Sequence, residues 1–495
     1  MKTWKYLCLV GCLGIAMSCK KEVGPTPEPE PVDTKEQLIR DSIYYYYNQQ
    51  SLWTEYIPDN TVLRTFTASY TSNDEVLRAL KARTPYYAGY NGSIDRFSFI
   101  EEKGSGSQQR SSNGLRMDTN DGYGMYFGWR IISETLAAPV LYFVEGGSPA
   151  QKAGITRGSM LLSLNDATDV TAPYNCNASG ACYVETNAFN DFQNKLNTAT
   201  NGNTMRLKVR TVDGQEIERT LTNGTYVIDP LLADTVYNYN KKIGYFAFSS
   251  FEEVTGNNQN YQNFQRVFQR FEAENIKELI VDMRYNTGGY VHTAQYLANK
   301  VVPASGDGNR MFTYEVNTNL QPYTVRAFDG LDFRPVNFVR NNNLELETVY
   351  FLVTEETASA SELLINVLKP YMRVVLIAET TRTYGKPVGF FAQDIMNEEI
   401  SLWVTSFKTV NSRGDTDYWD GLSVDETNVA DDIGRDFGDP AENMIARAIS
   451  LSGGNSSARL SKSSVSRSAT SAGSLPKKFK VVNKPDEKNL LKKRN

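Results

Sequence analysis

The chain has 495 residues, with 52 Lys and Arg against 57 Asp and Glu, so its formal charge of −5 is small for its size. That length allows two or three domains with a sizeable core, and so slight a charge points to neither nucleic acid nor an acidic ligand. One histidine, His292, serves the whole sequence, so no histidine cluster holds a metal and any histidine-based triad must run through that residue.

The N-terminus reads as an export signal over residues 1–18. Lys2 and Lys5 precede an apolar run from Tyr6 to Met17, shorter than the roughly 20 residues a membrane-spanning helix needs. Ala16-Met17-Ser18-Cys19 resembles a lipoprotein cleavage box. The resemblance implies Cys19 as the lipidated first residue, and a chain lipid-anchored in the cell envelope at the outer membrane. A second match, Leu9-Val10-Gly11-Cys12, leaves too short an apolar run, and a secreted chain with an incidental Cys19 is the alternative. Residues 19–33 are rich in Pro and Glu and form an extended tether.

Residues 34–115 form a first unit, helical and amphipathic from Thr34 to about Thr84, with Leu38, Ile43, Tyr46, Val76, Leu77 and Leu80 as inward positions. Asp95 to Ile100 reads as a strand or edge segment leading away from this small helical unit.

The second unit, residues 120–225, is β-rich. Strand Val140–Val144 is followed by Gly146-Gly147-Ser148-Pro149-Ala150 and Lys152-Ala153-Gly154-Ile155, a turn at Gly158 and strand Met160–Leu164. A helix around Asn187–Leu196 and a strand Met205–Val212 close it. This order resembles a PDZ domain, with Ser159 in place of the usual Asp. The resemblance implies capture of extended peptides by strand addition, with Phe127, Gly128 and Trp129 in the carboxylate-binding loop. Ordinary strand and core packing is the alternative at those bulky residues. Cys176 and Cys182 enclose a short polar loop, and an oxidising compartment favours a disulfide between them. Two thiolates without nearby histidines make an incomplete metal shell.

The third unit, residues 226–450, alternates strands with helices, the pattern of an α/β domain with a largely parallel sheet. Ile243–Phe248, Ile276–Met283, Val349–Val353 and Val374–Ala378 are its strands. Tyr261–Asn275 is an amphipathic helix with Phe264, Val267, Phe268 and Phe271 on one side, and Thr293–Val301 starts another. Residues 451–495 turn to Ser, Lys and Gly, too poor in apolar side chains to offset their ordering entropy, and read as a solvated basic tail.

Three segments of this unit carry candidate chemistry. Thr357-Ala358-Ser359-Ala360-Ser361-Glu362 sits between a strand and a helix. A hydroxyl there faces helix N-terminal amides that favour negative charge, so Ser359 is either a nucleophile or a helix cap. Lys386 follows the next strand and returns to the same sheet edge. Apolar surroundings, from Tyr384, Phe390 and Phe391, would disfavour its ammonium form and suit it to general-base work; a surface lysine beside a glycine turn is the alternative. Finally, Asp282-Met283-Arg284-Tyr285-Asn286-Thr287-Gly288-Gly289 runs a strand into a glycine pair, which lets backbone amides approach a substrate or simply makes a tight turn.

Together behind a PDZ-like unit, these three motifs resemble the C-terminal processing peptidases. That family implies a ClpP/crotonase-like α/β core, a polypeptide substrate, no cofactor and no metal. It implies Ser359 as nucleophile and Lys386 as general base, with the oxyanion hole made by Ala360 and Gly288 or Gly289. Many relatives carry a glutamine four residues past the lysine; here Phe390 stands there, with Gln393 as the alternative orienting residue. A catalytically inactive peptide- or ligand-binding lipoprotein on the same fold is the competing function, and an envelope scaffold a third.

Overall fold

The computed structural model describes residues 33–102, 119–176, 182–327, 330–397 and 399–454. The export signal, Cys19 and the basic tail beyond residue 454 lie outside the described residues, as does the tether before Asp33.

Helices α1 (Lys35–Gln50), α2 (Leu63–Thr67) and α3 (Asn73–Lys81) form the N-terminal unit. Ser72 and Glu75 close a capping box at the start of α3, each satisfying a backbone N–H that the helix leaves unpaired. Ile39, Ile43, Tyr44 and Tyr47 of α1 meet Val76, Leu77 and Leu80 of α3 in one cluster. Leu38, expected inside, is exposed, because the buried stripe of α1 runs one residue further on, through Ile39 and Ile43. Ile400, Leu402 and Val404 complete that cluster from far along the chain. The helical unit therefore shares its core with the α/β unit.

Of the expected edge segment Asp95–Ile100 only Phe99 and Ile100 are strand, the start of β1 (Phe99–Glu102). The residues before it make a turn fastened by Asp95, which is 1 % exposed. Its carboxylate accepts from the N–H groups of Phe97 (3.2 Å) and Ser98 (3.0 Å), the Ser98 hydroxyl (2.6 Å), the Tyr47 hydroxyl (2.6 Å) and the Thr405 hydroxyl (3.0 Å).

The middle unit is an antiparallel sheet built from β2 (Met125–Ile131), β3 (Leu136–Val144), β4 (Met160–Leu164), β5 (Thr204–Arg210) and β6 (Glu216–Thr222), covered by α4 (Thr186–Thr200). A hairpin of Ala172–Cys176 and Cys182–Val184 extends it and is closed by the Cys176–Cys182 disulfide. The carboxylate-binding loop expected at Phe127, Gly128 and Trp129 is not a loop. All three lie within β2, paired to β3, and the Phe127 and Trp129 rings are buried against Phe192 of α4. Alternation along a half-buried strand turns every second side chain into the core, and these two aromatics take those positions.

In the α/β unit, β7 (Leu231–Asn238) pairs antiparallel with β8 (Lys242–Phe248). Beyond it β8, β9 (Glu278–Asp282), β11 (Thr348–Leu352) and β12 (Arg373–Ile377) run parallel in that order. Strand β10 (Arg310–Val316) belongs to a second, antiparallel sheet with β13 (Val388–Ile395) and β14 (Ile400–Asn411), and β1 pairs with β14. The parallel sheet is buried on both faces, as parallel sheets generally are. Phe246, Leu279, Val281, Val349 and Phe351 pack toward α5 (Gln259–Glu274), α6 (Val291–Val301) and α7 (Ala360–Leu368). Tyr245, Ile280, Tyr350 and Leu352 pack toward α8 (Asn443–Leu451).

A buried charge network joins the middle and α/β units. Arg157 is 2 % exposed. It donates to the Tyr285 hydroxyl (2.6 Å) and the Arg435 carbonyl (2.9 Å), and ion-pairs with Asp431. Arg284 pairs with Asp282 (2.6 Å), Asp431 (2.6 Å) and Glu442 (3.1 Å). Burial pushes the Asp431 carboxyl up, but the Arg157 and Arg284 guanidiniums overrule it and hold it below the ordinary value. A depressed carboxylate stabilises the fold above its ordinary pKa of 3.8 and loses that contribution as pH falls through the lowered value. Arg157→Leu is therefore expected to cost about 3–5 kcal/mol in urea unfolding at neutral pH. That loss is expected to shrink as the solution is acidified below the ordinary carboxylate range. An unchanged midpoint at neutral pH would contradict this account of the joint.

Candidate active site

Strands β9, β11 and β12 are adjacent and parallel, so the turns that leave their C-terminal ends gather at one edge of the sheet. These turns carry Gly288 and Gly289, Ser359, and Lys386 respectively. The grouping follows from the sequence pattern: short strands with apolar centres that alternate with helices favour parallel crossovers.

Hydrogen bonds stitch the first two turns together. The Thr357 hydroxyl donates to the Met283 carbonyl (2.9 Å), the Thr354 hydroxyl to the Arg284 carbonyl, and the Ala358 N–H to the Asn286 carbonyl (3.3 Å). Ser361 donates its hydroxyl to both the carbonyl and the Oδ1 of Asn286 (3.0 and 3.1 Å). Gly288 stands so close to the serine turn that a Cβ there would come within 2.8 Å of the Ser359 Cβ and 3.1 Å of the Ala360 nitrogen. With φ at +109°, only glycine takes this position without strain.

Ser359 is the N-cap of α7, and its backbone has φ +57° and ψ −117°. A non-glycine residue there costs on the order of 1–3 kcal/mol and persists only where its surroundings over-determine it. Glu362 does much of that holding. It is fully buried, and its carboxylate accepts from the N–H of Ser359 (3.1 Å), the N–H of Lys386 (2.8 Å), the N–H of Gly385 (2.8 Å) and the hydroxyl of Thr383 (2.6 Å). Burial raises its carboxyl above the ordinary value, and these four donors oppose the rise. One carboxylate thus ties the backbone of the serine to the backbone of the lysine. Sequence reading passed over Glu362 as a member of a motif. The available signal was a lone carboxylate at the start of an otherwise apolar helix, three residues after a turn serine.

Around Lys386 the surroundings are aromatic. Its Nζ lies 4.3 Å from the centroid of the Phe390 ring and 5.5 Å from that of Phe97. Tyr384, also expected beside it, carries the Arg96 guanidinium over its ring instead. Gln393 is engaged elsewhere: its Oε1 accepts from Gln50 (3.1 Å), and it is Phe390 that meets the lysine. The reason is register, since odd and even positions of β13 face opposite sides.

The two glycines differ. Gly288 donates its N–H to Asn286 Oδ1 (2.9 Å) within the turn, whereas Gly289 is exposed and at φ +143°. The Ala360 amide is the first of α7, where N–H groups have no partner within the helix. His292 lies in the first turn of α6, its Nε2 3.9 Å from Glu253 and its ring against Tyr290. Burial lowers its pKa, with Glu253 pulling the other way. No group of three or more His, Cys, Asp or Glu suited to a metal occurs among the described residues.

Residues 242–423, which hold all three turns, match peptidase family S41. The chain carries an S41 peptidase domain. Carboxyl-terminal-processing peptidase 3, chloroplastic, of Arabidopsis thaliana is 23% identical over 253 residues, 50% of this chain and 42% of the relative. The chain thus spans about two fifths of the length of that curated relative. A solved structure from Bacteroides fragilis assigned to the S41 proteases superposes with a TM-score of 0.58 at 21% identity, covering 83% of this chain and 97% of its own. That likeness covers more of the chain than the stretch 242–423.

The Glu362 clamp is directly testable. Glu362→Gln turns an amide NH2 toward backbone donors that need an acceptor, and is expected to cost about 3 kcal/mol. Thermal or urea unfolding reads the loss, and an unshifted midpoint would mean that the carboxylate is not what holds the two turns.

Proposed function

We propose that this chain is a serine endopeptidase of the C-terminal processing kind, with Ser359 as nucleophile and Lys386 as general base. The observation that carries the reading is the shared carboxylate: Glu362 binds the N–H of each of these two residues, so both side chains start from adjoining backbone. The S41 match over the same residues supports it. In this reading the export signal delivers the chain to the cell envelope and the lipid on Cys19 tethers it there.

The chemistry proceeds in balanced steps. Ser359 Oγ attacks the peptide carbonyl as its proton passes to the neutral Lys386 amine, and the carbonyl oxygen becomes an oxyanion. The Ala360 N–H and the Gly289 N–H stabilise that charge; Gly289 is preferred to Gly288, whose N–H is committed to Asn286. Collapse breaks the C–N bond, the lysine gives its proton to the leaving amine, and an acyl-serine remains. Water then attacks with the lysine again as base, releasing the carboxylic acid and restoring the serine.

Digestion of dye-labelled casein tests the assignment. Ser359→Ala and Lys386→Ala are each expected to lower kcat by about 10³-fold or more with the fold intact. Wild-type turnover in both variants would overturn the assignment. Tight peptide binding by a wild-type chain that cuts nothing would favour the binding-protein alternative.

A further inference from the structure

The S41 match begins at residue 242, yet part of the lysine's surroundings comes from the N-terminal unit. Tyr90, Arg96 and Phe97 all reach the turn that carries Lys386. The Arg96 guanidinium lies 3.7 Å from the Tyr90 ring centroid, 4.7 Å from that of Tyr384 and 4.9 Å from that of Phe97. It also donates to the carbonyls of Tyr384 (3.3 Å) and Gly385 (3.4 Å), the two residues before Lys386. The Tyr90 hydroxyl donates to the Gly385 carbonyl (3.3 Å) and the Trp419 carbonyl (2.9 Å). Phe97 is 9 % exposed, packs with Val388 and Trp419, and turns its ring toward the Lys386 amine.

This arm is not loosely applied. Asp95 receives the N–H groups of Phe97 and Ser98 and is itself gripped by Tyr47 from α1 and Thr405 from β14. The same turn is therefore nailed to both units, and Phe97 has little freedom to move away from the lysine. Between them Phe97 and Phe390 offer two ring faces to one amine. An aromatic face carries partial negative charge and attracts a cation within about 6 Å. The positive charge that develops on Nζ as it accepts the serine proton thus meets two negative ring faces.

We propose that the N-terminal unit completes the peptidase site: Phe97, with Phe390, positions Lys386 through its ring face, and Arg96 pins the turn that presents it. This rests on the Ser359–Lys386 reading above. Phe97 and Arg96 are positioning residues, because they act through the lysine.

The test separates ring chemistry from packing. In the full chain acting on dye-labelled casein, Phe97→Leu keeps apolar bulk and removes the ring, and is expected to lower kcat about tenfold with KM within twofold of wild type. Phe97→Tyr keeps the ring and is expected to stay within about threefold of wild type. Arg96→Gln, at an exposed position that leaves the core untouched, is expected to lower kcat several-fold with an unshifted unfolding midpoint. If Phe97→Leu and Phe97→Tyr behave alike, or if the losses appear in KM alone, the proposal is overturned. Full activity of Phe97→Leu beside a dead Ser359→Ala overturns this proposal alone, whereas full activity of Ser359→Ala or Lys386→Ala overturns both it and the catalytic reading.

Discussion

The buried carboxylate of Glu362 is the constraint on which the rest of the site depends. It binds two backbone N–H groups and the Thr383 hydroxyl from the lysine turn, and one N–H from the serine turn. A charge held away from water is costly unless every lone pair is used, and here four donors use them. The same bonds fix the distance between two chain segments that belong to different strands. They also help hold Ser359 in a backbone conformation it would otherwise leave.

Around that clamp the three units are mutually dependent. Arg157 of the middle unit is buried among Tyr285, Asp431 and Arg435, and Tyr285 immediately precedes the Asn286 that organises the glycine turn. From the other side, α1 and Asp95 hold the arm that reaches the lysine. The S41 domain thus has a neighbour on each flank, one bonded to the glycine turn and one to the lysine turn. The Arg157 contact is buried and polar, and buried polar contacts of this kind are specific in geometry because a displaced donor or acceptor finds no water to replace its partner.

Much of this was legible in the sequence, for identifiable reasons. The alternation of largely apolar strands with amphipathic helices gave β8, β9, β11, β12 and their crossovers to within about two residues, because a parallel sheet buried on both faces leaves near-continuous apolar runs. Ser359 and Lys386 read as turns at one sheet edge because each follows an apolar strand. What escaped notice depends on distant partners. Asp95 reads as the start of a strand until Tyr47 and Thr405 are seen to bind it. Arg157 carries no signal in the sequence, since nothing local announces that Asp431 lies opposite. Phe127 and Trp129 look like loop residues by resemblance, but two large aromatics at alternate positions of a strand go to the core. The second sheet, of β10, β13 and β14, was missed because its strands are separated by long connections and one of its edges, β1, comes from another unit.

The central claim is that Ser359 is a reactive nucleophile made so by Lys386. Treating the full chain with a serine-directed fluorophosphonate and locating the adduct by peptide mass mapping tests it most directly. The account predicts one covalent adduct, on the peptide bearing Ser359, and its loss in Lys386→Ala. An adduct on another serine, or undiminished labelling of Ser359 without the lysine, would contradict it.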